Sequence, residues 1–351
     1  MTDWFDQKRT HSVTVQMVDP HNLETVIGVL EGVDLSSSKV SAGYYTDART
    51  TATIMVVGGG WIPGSYLRFV IDVGADERVL GTYRVYDDKA QRVHGTWRYT
   101  YDCKSMLYRI AQDCGAGAWT IKNGTTAMKA AAQDLTWAGA AYSINGNDAL
   151  INTPVVYESG MNRLSHIMSL CTMADNRVDV DGYGTIVIDK YVEPSSMPPS
   201  FTLDLEDTRG IVHSGIGVSS DRYSLENRVV VSYQSNSNGN QTEVVGYADV
   251  TGNLSPTASG AVITDYRIVD SLNPPTTAAA YDLAKKYAAL QKPANEWSIK
   301  TQYLPIWEGD VIALVVHDGS YTGERRCLVQ NIDIALDTLE LDLRLKEVGN
   351  D

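Results

Sequence analysis

The 351-residue sequence holds few cysteines, few phenylalanines and a shortage of positive charge. Its four cysteines, Cys103, Cys114, Cys171 and Cys327, include no short-spaced pair, so the chain carries neither a disulfide framework nor a Cys-x-x-Cys metal or redox motif. Four buried, reduced thiols are the expectation. Proline, at 11 residues, is too sparse for a polyproline or collagen-like segment. Lys and Arg number 29 against 43 Asp and Glu, a formal charge of −14, which excludes capture of nucleic acid or of an anionic membrane by charge alone. The imbalance is concentrated late in the chain, where residues 201–351 carry 21 acids against 12 bases. No apolar run approaches the roughly 18 residues of a membrane-spanning helix. The opening Met1-Thr2-Asp3-Trp4-Phe5-Asp6 lacks the basic-then-apolar order of a secretory signal. Folding in the cytosol, without direct membrane insertion, is the expectation.

What is present is the composition of an ordinary globular chain, 43% hydrophobic and 21% charged, long enough for two or three domains of about 150 residues or less. Twenty Tyr and seven Trp outweigh three Phe; such amphipathic rings suit half-exposed sheets and subunit contacts.

Residues 1–100 are dominated by strand patterns. His11 to Val18 alternates, Thr50 to Val57 is β-branched and ends at Gly58-Gly59-Gly60, and Tyr66 to Val73, Val79 to Tyr86 and Thr96 to Tyr101 repeat the period of two. Short strands without intervening helices predict a small antiparallel barrel or sandwich. Residues 101–200 change texture. Asp102 is placed to cap a helix with Met106, Leu107, Ile110, Ala111 and Cys114 on its apolar face, which Gly115 would end. A second helix is predicted from about Met161, burying Leu164, Ile167, Met168, Cys171 and Ala174, with His166 at the boundary of that stripe. A hairpin follows, Arg177 to Asp181 and Thr185 to Ile188 around Gly182-Tyr183-Gly184. The Pro-rich segment Glu193 to Pro199 closes this α/β insert and marks a domain boundary.

Residues 201–351 return to strands, with a Val-rich one over Arg228 to Tyr233, a polar tip over Ser235 to Gln241 and a loop over Asn253 to Ala261. One helix is predicted at about 277–290, capped by Thr276 or Thr277, burying Ala280, Leu283, Ala284, Tyr287 and Ala288. A closing hairpin alternates Ile332, Ile334 and Leu336, then Leu339, Leu341, Leu343 and Leu345, with charged neighbours. A one-residue slip would bury four charges, so the register is fixed. The opposite face carries Asp333, Asp337, Glu340 and Asp342.

Catalytic and ligand motifs are incomplete. Aligning Gly182 with the glycine of an EF-hand loop puts Asp179 and Asp181 correctly, but Arg177 and Ile188 occupy the two end ligand positions. Gly58 to Ser65 has glycines but no Lys and no following helix, so it is no phosphate loop, and Gly115-Ala116-Gly117 ends a helix where a dinucleotide motif opens one. The histidines His11, His21, His94, His166, His213 and His317 form no i, i+4 pair, and no Gly-x-Ser-x-Gly elbow occurs. The doublets Lys285-Lys286 and Arg325-Arg326 sit in acidic surroundings and suggest solvated surface. A glycosidase carboxylate pair is set in three dimensions and stays open. No cofactor and no metal is implied.

Several stretches, in order, resemble one family. Ser41 to Thr53 with Leu80 to Val85, the hairpin Asp179 to Ile188, and then Glu226 to Val231, Ile268-Val269-Asp270, Asn273-Pro274-Pro275 and Pro305 to Ile312 are similar to the tail hub proteins of long-tailed bacteriophages, and to the N-terminal hub part of tail-associated lysins. The resemblance covers roughly residues 40–346. It implies a mainly β, α+β fold: two antiparallel barrel-like domains, 1–100 and 201–351, around a small α/β insert, 101–200, assembled as a homotrimeric ring of pseudo-sixfold symmetry. It also implies a structural tail-tip protein of the virion, assembled in the host cytoplasm, without enzymatic activity. Its partners would be the distal tail protein, the C-terminus of the tape-measure protein, and a fibre, spike or lytic protein, with DNA only in transit. Because the sequence stops at Asp351, soon after the closing strand, any hydrolase is expected on a separate chain. The acidic face of Asp333, Asp337, Glu340 and Asp342 is the candidate lining of the lumen. Two other readings remain: a glycan-binding or glycan-degrading tip protein using Trp61, Tyr66 and Trp97 as sugar platforms, and the hub of a contractile injection particle.

Overall fold

The structure, a computed structural model, describes residues 4, 10–44, 46, 48–58, 65–74, 76–114, 117–152, 154–157, 159–207, 209, 211–213, 215–219, 226–237, 240–270, 276–290, 295–317 and 319–348. The first seven strands are β1 (His11–Asp19), β2 (Asn22–Val29), β3 (Val33–Gly43), β4 (Thr50–Val57), β5 (Tyr66–Val73), β6 (Asp76–Val93) and β7 (Thr96–Lys104). β4 alternates buried and half-buried positions along its β-branched run, whereas seven of the eight residues of β5 are buried, because Leu67, Phe69 and Ile71 face the main core and Tyr66 faces that of the insert. β2 and β3 escape a hydrophobic-period search because β2 is mostly exposed and β3 holds Ser36-Ser37-Ser38. The predicted cap Asp102 lies inside β7, opposite Thr53 on β4. Ladder bonds to β4 continue to Lys104, so the following helix starts three residues later, after Ser105.

The insert comprises α1 (Met106–Gln112), β8 (Trp119–Ile121), α2 (Ala127–Trp137), β9 (Tyr142–Ile144), β10 (Val155–Tyr157), α3 (Arg163–Met173), β11 (Asn176–Val180) and β12 (Ile186–Lys190). α3 begins where the Asn162 side chain accepts the Ser165 N–H at 3.2 Å. Gly115, the predicted helix end, lies outside the described residues. α2 was not predicted because its buried face is mostly alanine: Ala127, Ala130 and Ala131 beside Met128 and Leu135. β11 and β12 form the predicted hairpin, with Val178 opposite Ile188. The Asp181 carboxylate accepts the N–H groups of Tyr183 (2.9 Å) and Thr185 (2.8 Å), which makes it a turn former. Of the four thiols, all free, Cys114 is exposed instead of buried.

The last part adds β13 (Phe201–Asp204), β14 (Gly217–Ser219), β15 (Arg228–Ser237), β16 (Asn240–Asp249), α4 (Pro256–Ser259), β17 (Thr264–Asp270), α5 (Thr277–Leu290), β18 (Glu296–Gln302), β19 (Val311–Val316), β20 (Gly323–Ala335) and β21 (Glu340–Glu347). α4 is a single turn inside the predicted loop, capped by the Ser255 hydroxyl accepting from Ala258 N–H at 3.2 Å. Arg326 is half-buried, not solvated: its guanidinium donates to the Met197 carbonyl and ties the Pro-rich segment to β20.

These strands do not close into barrels among the described residues. They form one open 13-stranded sheet in the order β14-β18-β21-β20-β3-β4-β7-β6-β5-β1-β2, with β13 and β19 branching from β20. The reason is strand β3, which is bonded to β4 on one side and to β20 on the other, so that strands from the two ends of the chain join edge to edge. A single buried row runs across the joint: Thr301, Leu341, Ile334, Val40, Ala52, Cys103 and Val85 are successive cross-strand partners, all buried. The closing hairpin has the predicted register, with Ile332 opposite Leu343 and Ile334 opposite Leu341.

β15, β16 and β17 form a separate three-stranded sheet. α5 has the predicted limits, and Thr276 caps it by accepting the Ala279 N–H at 3.1 Å. It covers this small sheet, where Ala284 and Ala288 pack on Val229 and Val231 in a core of their own. The backbones of α5 and β16 approach at Gly246, where a Cβ would collide with the main chain of Ala280 and Tyr281. Gly246→Ala is therefore expected to push α5 off the sheet and cost about 1–3 kcal/mol. Urea denaturation monitored by circular dichroism measures it.

Candidate functional site

The continuous sheet has two faces, and the pairing that builds the buried row also builds a polar one. Lys300, Asp342, Asp333, Ser41, Thr51, Lys104 and Arg84 are successive cross-strand partners across the same seven strands. Three of the four predicted carboxylates lie on this face: Asp333 and Asp342 are directly opposite each other, and Glu340 is two residues along β21. Asp337 lies in the hairpin turn, where its carboxylate accepts the Thr338 N–H at 2.9 Å.

Two carboxylates placed directly across a ladder repel, and neighbours offset the charge. Ser41 donates its hydroxyl to Asp333. Lys39 Nζ lies 3.8 Å from Asp333 Oδ1, Lys300 Nζ lies 3.8 Å from Asp342 Oδ2, and His213 Nδ1 lies 3.6 Å from Glu340 Oε1. These groups are roughly half exposed, so each pair contributes at most about 1 kcal/mol. Arg344 joins the same face opposite Asn331. Lys39 and Lys300 were missed as members of the face, although the alternation of Lys300 with Trp297, Ile299 and Thr301 places it there.

Buried charge is concentrated elsewhere, in two clusters. Within the insert, Arg163 bridges Asp113 (Nε to Oδ2, 2.7 Å) and Asp134 (Nη1 to Oδ1, 3.1 Å). Burial pushes the Asp134 carboxyl up to about 6 in spite of Arg163. His166 is not a boundary residue. It is fully buried, its ring 4.5 Å from that of Trp119 and 3.5 Å from that of Tyr157, with no hydrogen bond to either nitrogen. The second cluster lies where the insert meets the sheet. Arg177 on β11 approaches Asp179 Oδ2 at 2.7 Å and Glu308 Oε1 at 3.8 Å, and stacks over Tyr44 at 4.3 Å. Glu308 is buried, and burial holds its carboxyl well above the usual range. Gly309 is required beside it, because its φ of +90° favours glycine and a Cβ would strike the Arg177 guanidinium.

These clusters tie packing surfaces together, with the Asp113 and Asp179 carboxylates partly exposed at their edges. Cavities of about 250 and 270 Å³ flank the seam, the first lined by Arg78, Val180 and Trp307 and the second by Tyr44, Arg49 and Tyr191. Neither brings a nucleophile to a base. Of the three proposed sugar platforms, Tyr66 is 4% exposed and offers no ring face to a sugar, Trp97 is 48% exposed, and Trp61 lies outside the described residues. Among the described residues no group of three His, Cys, Asp or Glu side chains could hold a metal, and no helix is long and apolar enough to cross a membrane.

Burial, with Arg163 nearby, pushes the His166 imidazole down to about 4 from its ordinary 6.5. The unfolded chain then takes up this proton first, so stability is lost as pH falls from 6.5 towards 4. Asp134, whose carboxyl is raised in the folded chain, acts oppositely over its own range. His166→Phe is expected to reduce the fall in melting temperature between pH 6.5 and 4, measured by scanning calorimetry; an unchanged profile contradicts the assignment.

No family model matches the sequence, and no curated protein does. Solved structures do. A tail protein from Neisseria meningitidis is 14% identical, with 97% of each chain covered and a TM-score of 0.69. The 43 kDa tail protein of prophage MuSo2 from Shewanella oneidensis is 13% identical, covering 97% of this chain and 98% of that one at a TM-score of 0.63. An Escherichia coli component of the type VI secretion system, described as structurally similar to tail proteins of bacteriophage T4, is 9% identical, covering 97% of this chain and 77% of that one at 0.51. From strand β1 to strand β21, the chain has the fold of phage tail proteins.

Proposed function

We propose that this chain is a structural hub subunit of a phage-type tail tip, working by assembly and passage without bond chemistry. Three copies form a ring of pseudo-sixfold symmetry that continues the tail tube. The ring docks on the distal tail protein, receives the C-terminus of the tape-measure protein, and carries a fibre, spike or lytic protein below. It belongs to the virion and assembles in the host cytoplasm. The observation that carries this reading is the near-complete, two-way coverage by tail-protein folds.

In this reading the polar face of the long sheet, with Asp333, Asp342 and Glu340 and with Asp337 at its turn, lines the lumen. A passage for duplex DNA has to avoid holding phosphates. On β18, β21, β20 and β3 the carboxylates of Asp333, Asp342 and Glu340 are matched by Lys39, Lys300 and Arg344, so this part of the face carries no excess of positive charge for the backbone to adhere to, whereas Lys104 and Arg84 put two adjacent cations at its far end. Similarity to the type VI secretion component favours the hub of a contractile injection particle as the second reading; sheath protein in the purified particles would decide for it.

Replacing Asp333, Asp337, Glu340 and Asp342 together with Lys converts the face to a basic track. Particles carrying this variant are expected to assemble and to eject DNA much more slowly, by fluorescence of released DNA. Ejection at the normal rate overturns the lumen assignment. Absence of the chain from purified tails overturns the tail-tip reading itself.

A further inference from the structure

Two arginines reach the cavity of about 270 Å³ at the seam from different elements, Arg49 from the turn before β4 and Arg177 from β11 of the insert. Both approach one ring: their Cζ atoms lie 5.7 and 4.3 Å from the centroid of Tyr44. The Arg49 backbone is pinned in place. Its N–H donates to the Thr46 carbonyl at 3.0 Å and its carbonyl accepts the Gly43 N–H at 2.7 Å. Its φ of +53° lies in the left-handed region that a residue with a Cβ disfavours, a conformation kept only where the surroundings fix it.

The two cations are matched unequally. Arg177 has Asp179 at 2.7 Å and Glu308 at 3.8 Å, although its buried Nε donates no hydrogen bond. Among the described residues the Arg49 guanidinium makes no hydrogen bond and no ion pair. Burial, and after it the charge of Arg177, lowers its hold on its proton. The other polar groups of the lining are engaged: Thr46 donates to the Gly43 carbonyl at 2.9 Å, Thr172 to the Met168 carbonyl at 2.9 Å, Asn176 to the Asn147 carbonyl at 2.8 Å and Tyr191 to Glu193 at 3.2 Å. The donors left for a ligand are therefore guanidinium N–H groups. A half-buried cation beside a second one is costly until an anion compensates it.

We propose that this cavity binds a tetrahedral oxyanion, of the size of inorganic phosphate or sulfate, between Arg49 and Arg177. Guanidinium forks present parallel N–H pairs to oxyanions. A planar carboxylate is filled by one fork, whereas a tetrahedral ion accepts from two that arrive from different elements. The bound ion joins the turn before β4 to β11 and so holds the insert on the sheet. Asp179 opposes the entering charge, which keeps the affinity modest. The inference goes beyond the tail-tip reading and does not depend on it.

Calorimetric titration of inorganic phosphate into the full chain, near neutral pH in chloride buffer of constant ionic strength, tests it. One saturable site per chain is expected, with a dissociation constant of about 0.1–1 mM. Direct titration separates binding from the general stabilisation that phosphate and sulfate give by exclusion from protein surfaces. Sulfate is expected to compete, and acetate to bind at least about tenfold more weakly. Arg49→Gln is expected to weaken phosphate binding at least about tenfold, the loss of a charge-assisted contact, whereas Arg92→Gln, at an exposed position on β6, binds as the parent does. If Arg49→Gln does not melt cooperatively, Arg49→Lys, which keeps the charge and loses the fork, is expected to show the same weakening. Absence of a saturable site, acetate binding as tight as phosphate, an Arg49 variant that binds as the parent does, or an equal loss in Arg92→Gln each overturns the proposal.

Discussion

Strand β3 is the joint on which the architecture depends. Its residues Lys39 to Ala42 pair with Thr50 to Thr53 on β4 and with Ile332 to Ala335 on β20. Both ladders place Val40 and Ala42 on the buried face and Lys39 and Ser41 on the other. One strand thus fixes the register of the N-terminal strands against the C-terminal ones, some 290 residues apart in sequence (Ser41 and Asp333 are separated by 292). Because side chains alternate strictly, the same register aligns the buried row and the polar row across the joint. The open ends, the polar face and the placing of the insert all follow from that alignment.

The insert sits against this sheet through apolar packing, with Val18 and Tyr66 of the sheet buried in the insert's core, and through buried charge. Arg177, Asp179 and Glu308 meet beside Tyr44, and the Thr82 hydroxyl donates to the Gly182 carbonyl at 2.8 Å. Charges buried in this way contribute little net stability, but removing one partner leaves the other uncompensated at a cost of about 3–5 kcal/mol. They therefore fix orientation. Perturbed carboxyl groups such as Glu308 and Asp134 would draw attention in a search for catalytic residues, yet each is buried in a packing seam.

Much of this was legible in the sequence where apolar residues repeat with a clear period. β4 and β5 have the predicted limits, the closing hairpin has the predicted register, and α5 runs over the predicted residues. The losses have physical causes. β2 is exposed and so has no period to find. α2 buries alanines, which weigh little in a hydrophobic pattern. His166 lies on a helix whose stripe it borders, and its burial comes from Trp119 and Tyr157, on strands 47 and 9 residues away that nothing local predicts. Separate barrels follow when each group of strands is taken alone, whereas the β3–β20 pairing, the longest-range strand pairing of the sheet, joins them into one. The carboxylate face was legible from alternation, but its counter-charges Lys39 and Lys300 arrive from other strands.

The β3–β20 joint is tested most directly by native-state amide hydrogen exchange. A single continuous sheet predicts that amides in residues 39–43 and 331–335 exchange only by global unfolding, as slowly as those of Ile54 and Leu343 on its two sides. Early exchange at the joint, with the N-terminal and C-terminal strands then opening at different free energies, would contradict it.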